Sequence, residues 1–92
     1  MLIRIVKMTF DPSKIQDFKK VFSEVEPHIK KMKGCRDVQL KQDAKFSNIM
    51  FTVSRWESEE DLNNYRKTEF FHETWTKTKA LFCARPEAWS LI

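Results

Sequence analysis

The sequence predicts an α+β fold: a four-stranded antiparallel sheet in ferredoxin-like βαββαβ order, with the helical segments on one face. Three observations carry this. Short alternating segments near residues 2–10, 35–42, 48–56 and 87–92 read as strands. Two longer stretches between them repeat apolar residues at helical spacing. Their order along the chain is strand, helix, strand, strand, helix, strand.

In the first strand, Leu2, Val6, Met8 and Phe10 share a face with Arg4, while Ile3 and Ile5 occupy the other. Both faces are apolar in the first half, so both need cover. Asp11 and Pro12 then open a helix, the first as a cap and the second as a residue suited to the first turn. Ile15, Phe18, Phe22, Val25, Ile29 and Met32 follow at alternating steps of three and four, forming one stripe. Pro27 is expected to interrupt and kink that helix. Gly34, the only glycine, falls where a helix end takes a left-handed residue.

"CRDVQLKQ" (35–42) reads as the second strand, "DAKFS" as a turn, and "NIMFTVSRW" (48–56) as the third strand. Ser58 and Asp61 resemble a capping box that starts a second helical region. Within it, Phe71, Trp75, Thr78 and Phe82 share one face, whereas Leu62 and Tyr65 lie about half a turn away. One unbroken helix would bury two opposing faces. A break near Thr68 resolves this, with Thr68 capping a new helix and Glu69 at its positive end. The expected helices run over about 58–66 and 68–82. Pro86 ends the second, and "EAWSLI" (87–92) reads as the last strand.

A chain of 92 residues reads as one domain, 1–92, with a small private core. It nevertheless carries 8 Phe, 3 Trp and 4 Met, which points to apolar surface buried against a second copy. Ile3, Ile5, Phe51 and Trp89 cannot all face the helices. A homodimer through the open sheet face is therefore expected.

The net charge of +4 arises from 17 basic and 13 acidic residues that are interspersed, as on a solvated helix face. No Gly-aromatic RNA-binding strand and no Gly-rich phosphate loop occur, so no nucleic-acid partner is expected. Cys35 and Cys83 have no CxxC partner, and the two Cys and two His lack metal-site spacing; neither metal nor cofactor is expected. The first ten residues do not read as a signal peptide, and no apolar run approaches the ~20 residues that span a bilayer. A cytoplasmic protein with reduced thiols and no membrane partner is expected.

The pattern "RIVKMTFDP", the "GC" at 34–35, and above all "SRWESEEDL" leading into "NNYRKTEFF" resemble the antibiotic biosynthesis monooxygenase family. The resemblance spans nearly the whole chain and rests on the order and spacing of its parts. It implies a dimeric α+β barrel with a ligand pocket in each subunit between helices and sheet. Branches of the family oxygenate phenolic polycyclic substrates without metal or flavin, oxidise quinols, degrade haem, or isomerise a signalling sugar derivative.

Against the haem-degrading branch, the Trp position falls here on Tyr65 and the axial His position on Trp75, and the first strand contains no Asn. Against the polycyclic-substrate branch, Trp56 is present, Thr52 replaces an Asn, and Gln42 stands where a His is expected. The resemblance thus implies a monooxygenase-like enzyme for an aromatic or quinone-type small molecule, which keeps the aromatic wall. The alternatives are a non-catalytic binding or dimerisation module of the same fold, or an isomerase.

By chemistry alone, His72 is the best single candidate for acid–base work. Trp56 and Tyr65 complete the candidate catalytic set. Tyr65 can equally supply a phenolic hydrogen bond to a ligand or anchor a helix. Trp75, Phe71, Thr52 and Arg4 are the candidate substrate-binding residues. Arg4, set among apolar neighbours, either pairs with an acidic residue or reaches a ligand's oxygen.

Overall fold

The computed structural model describes all residues from Met1 to Ile92. The elements are β1 (Leu2–Thr9), a single 3-10 turn (Pro12–Lys14), α1 (Ile15–Lys30), β2 (Cys35–Gln42), β3 (Ile49–Trp56), α2 (Glu59–Arg66), α3 (Glu69–Lys79) and β4 (Glu87–Leu91). The sheet runs β2-β3-β1-β4, and every neighbouring pair is antiparallel. This is the expected ferredoxin-like α+β fold.

Register decides which side chains meet the helices. Leu2, Arg4, Val6 and Met8 of β1 lie opposite Trp56, Ser54, Thr52 and Met50 of β3. Val38 and Leu40 of β2 continue these rows beyond Ser54 and Thr52. Ser90 and Ala88 of β4 continue them on the other side, beside Arg4 and Val6. The alternate residues form the opposite face, in rows such as Val53–Ile5–Trp89 and Arg55–Ile3–Leu91. Trp89 and Leu91 are 43% and 46% exposed there, so that face of the chain is partly apolar and open.

The main core joins Met8, Phe10 and Met50 and Val38 of the sheet to Phe18, Phe22 and Ile29 of α1. Phe10 is fully buried; its ring stacks on Phe18 at 4.3 Å and meets Phe82 at 5.3 Å. A smaller cluster of Leu2, Trp56 and Leu62 fastens α2 to the end of the sheet.

Asp11 does cap, accepting hydrogen bonds from the Ser13 N–H at 2.9 Å and the Ser13 hydroxyl at 2.8 Å. The turn it opens is 3-10, and the α-helix proper starts at Ile15. Pro27 does not interrupt α1, which continues to Lys30. The ring removes one donor to the Ser23 carbonyl, and both residues are exposed, where water substitutes for the lost bond. Gly34 takes the positive φ, +82°, that ends this segment.

The break between α2 and α3 lies where helical phase required it. Thr68 accepts from the Phe71 N–H at 3.1 Å, and its hydroxyl donates to the Tyr65 carbonyl at 2.7 Å. One side chain thus closes α2 and opens α3. Thr68→Ala is expected to lose about 1 kcal/mol, or roughly 4–8 °C of Tm. Calorimetry checks this: an unchanged Tm would mean that the break is held by packing alone.

Candidate functional site

The helix-facing rows of the sheet and the three helices enclose a cavity of about 300 Å³. That volume lies at the lower end of the roughly 300–1,000 Å³ typical of small-molecule sites. The sheet supplies the floor: Arg4, Val6 and Met8 from β1, Thr52, Ser54 and Trp56 from β3, and Ala88 from β4. One wall is α1, with Phe18, Phe22 and Val25; α2 adds Leu62, Tyr65 and Arg66; α3 adds Phe71, Thr74, Trp75 and Thr78. Pro86 and Glu87 complete the lining beside β4.

The aromatic rings form a continuous run. Trp56 stacks on Tyr65 with centroids 5.1 Å apart, and Tyr65 meets Phe71 edge-on at 5.2 Å. Phe71 lies nearly parallel to Trp75 at 6.2 Å, and Trp75 meets Phe82 edge-on at 5.6 Å. The break at Thr68 makes this possible, because it turns Phe71 and Trp75 towards the same cavity that Tyr65 borders. Trp56 is 1% exposed, and its indole N–H donates to the Ser54 hydroxyl at 3.0 Å.

Tyr65 is largely buried, and that burial, with a smaller contribution from Cys35, pushes its phenol up to about 12. At neutral pH it is therefore a hydrogen-bond donor and not a base. Arg4 is half-buried and donates to the Ser90 hydroxyl at 3.0 Å. Burial and, secondarily, the neighbouring charge of Arg66 lower its pKa, yet a guanidinium stays charged at any working pH.

Six of the seven residues singled out from sequence line this cavity: Arg4, Thr52, Trp56, Tyr65, Phe71 and Trp75. His72 does not. It is exposed on the outer side of α3, beside Glu73, Thr76 and Lys77, and its ring only abuts Phe71 at 6.0 Å. Helical phase is the reason: one residue beyond Phe71, the chain has turned by about 100°. Gln42 is also remote, at the β2–β3 turn, donating to the Ser47 carbonyl at 2.7 Å.

The sequence reading missed Ser54, Arg66 and the α1 wall. Ser54 was visible only through register, as the inward residue between Thr52 and Trp56. Arg66 carries no signal of its own in the sequence, and the α1 stripe reads there only as the apolar face of an amphipathic helix. No group of three or more His, Cys, Asp or Glu side chains comes together to hold a metal ion. No helix is long and apolar enough to cross a membrane.

A family model described as antibiotic biosynthesis monooxygenase matches residues 1–77. Among solved structures, a conserved protein from Methanosarcina mazei is similar at TM-score 0.92 and 22% identity, covering 99% of this chain and 91% of its own. An antibiotic biosynthesis monooxygenase is similar at TM-score 0.92 and 17% identity, covering 100% and 97%. A Mycobacterium tuberculosis protein reaches TM-score 0.90 at 14% identity, covering 99% and 92%. At such identities these likenesses speak for the fold. No curated protein matches the chain.

Proposed function

Because the chain belongs to the antibiotic biosynthesis monooxygenase family, matched over residues 1–77, we propose that it is a cofactor-independent, monooxygenase-like enzyme acting on an aromatic or quinone-type small molecule. The observation that carries the reading is the run of rings from Trp56 through Tyr65 and Phe71 to Trp75 along one small, mostly apolar cavity. Flat faces of this kind suit a fused-ring ligand.

In such a site the substrate supplies the reactivity. An activated ring CH₂ loses a proton, and the carbanion passes one electron to O₂. The two radicals join as a peroxide anion, which takes back the proton to give a hydroperoxide, and loss of water leaves a C=O. One oxygen atom enters the product and the other leaves as water. The protein excludes bulk water from the carbanion, holds the ring system against Trp56 and Trp75, and offers the Tyr65 hydroxyl as a donor to the substrate's oxygen. Thr52 and Arg4 border the same space and complete the proposed binding set.

The test is oxygen uptake with a panel of anthrones and hydroquinones. Saturable uptake is expected, reduced at least ~10-fold in Tyr65→Phe, which lacks the donor to the substrate's oxygen. Uptake no faster than with heat-denatured protein would remove the oxygenase reading. A second reading has its own support: no histidine lines the cavity, and Tyr65 stays protonated at neutral pH. A non-catalytic binding module would take up the same compounds and return them unchanged.

The open sheet face supports a homodimer of the proposed kind. Ile3, Ile5, Phe51 and Val53 are half-buried on it, with Trp89 and Leu91 exposed alongside. Sedimentation at micromolar concentration is expected to show a dimer. Trp89→Glu is expected to weaken it by about 2 kcal/mol or more. A monomeric wild-type chain under those conditions would exclude this interface.

A further inference from the structure

Two arginines border the cavity, and a wall of aromatic rings does not by itself account for their charge. Arg4 rises from the middle of the sheet and is half-buried; Arg66 stands at the end of α2 and is exposed. Both line the cavity. The three ion pairs of the chain are Lys7–Glu87, Lys30–Glu26 and Arg36–Glu57, so neither arginine has a carboxylate partner. The one carboxylate in the lining, Glu87, is taken by Lys7 at 3.5 Å. Arg4 spends one donor on Ser90, and the rest of its fork stays available.

A purely structural arginine at this depth would be expected to meet an acid. Here a second positive charge lies near enough to add to burial in lowering Arg4's pKa. An anion between them would relieve both. Most of the remaining lining is aromatic or aliphatic, with hydroxyls from Thr52, Ser54, Thr74 and Thr78 among it, and the volume is small, so a flat ring system suits the space better than a free phosphate.

We propose that the cavity takes its ligand as an oxyanion, the phenolate or enolate of a fused-ring aromatic, with the oxygen on Arg4 and Arg66 and the rings on Trp56 and Trp75. This rests on the reading of the cavity given above and deepens it. The ionisable or charged groups facing the site are Arg4, Tyr65, Arg66 and Glu87. Tyr65 stays protonated at neutral pH, and Glu87 is paired with Lys7. The arginines make a protein base unnecessary: by stabilising O⁻ they lower the ligand's own pKa, and its O–H proton leaves to solvent.

The probe is alizarin, a three-ring phenol whose colour reports its ionisation. Bound to the wild-type protein, it is expected to titrate about one to three units below its free value. Arg4→Gln and Arg66→Gln should each return part of that shift and the double variant all of it, whereas Arg66→Lys should keep most. Circular dichroism establishes that each variant is folded, and the exposed Arg66 supplies the decisive comparison if Arg4→Gln is unstable. A bound dye that titrates at or above its free value, a shift that survives both Gln substitutions, or a dye that does not bind would each overturn the proposal. Oxygen uptake without a dye shift would overturn the oxyanion and leave the oxygenase standing. A dye shift without oxygen uptake would do the reverse.

Discussion

Trp56→Ala is expected to lose about 3–5 kcal/mol of stability, a large part of the roughly 5–15 kcal/mol that such a domain possesses. Trp56 is one of the two largest fully buried side chains, and it performs three tasks at once. It fills the small core with Leu2 and Leu62, it stacks on Tyr65, and it satisfies Ser54. Removing it opens a void between sheet and α2 and leaves the largely buried Ser54 hydroxyl without its donor. Urea titration checks the figure; a midpoint unchanged from wild type would mean that α2 collapses onto the sheet without strain. Trp56→Phe is the better probe of the site, since it retains a ring against Tyr65 and loses mainly the N–H. Its loss should be visibly smaller, and the difference between the two variants measures how far the cavity's end wall depends on bulk.

Gly34→Ala is expected to cost at least ~2 kcal/mol, from two sources that can be separated. The φ of +82° carries a penalty of about 1–2 kcal/mol for a residue with a Cβ. The added carbon would also overlap Asp61, whose own Cβ would lie only 2.5 Å away. That atom sits in the first turn of α2, where the Asp61 N–H is held by Ser58 at 3.2 Å, so it cannot simply swing aside. Accommodation would move the whole start of α2. In an Asp61→Gly background the overlap disappears and only the φ penalty remains. A double-mutant cycle by denaturant unfolding should therefore show coupling of the order of 1 kcal/mol. Strict additivity would mean that the loop yields and the helix does not.

Much of the fold was legible because its signals were periodic and local. Alternation placed the strands. The Ile15–Met32 stripe placed α1, and the half-turn mismatch between Tyr65 and Trp75 located the break at Thr68. What failed to read through was cooperative or directional. Pro27 is a helix breaker by its ring alone, but α1 holds through it because Phe22 and Ile29, on either side, are both anchored in the core. Of the six cavity-lining candidates, Trp56 and Thr52 came from the family resemblance, and Arg4, Tyr65, Phe71 and Trp75 from chemistry together with helix and strand phase. His72 was singled out by chemistry alone, and its phase sends it outward. Arg66 was invisible because its importance depends on Arg4, a residue some sixty positions earlier, and only the folded sheet brings the two to one cavity.

Thr68 also has a consequence for how such a protein diversifies. Its hydroxyl is a joint between two short helices: α2 is fastened to the sheet through Leu62 and Trp56, while α3 carries Phe71 and Trp75. Adding or removing a residue at this joint would rotate α3 by about 100° and replace its contribution to the cavity with a different set of side chains, leaving the sheet and its pairing intact. The lining that α3 supplies is thereby set by helix phase at a single joint, whereas the lining that Trp56 supplies is tied to the core.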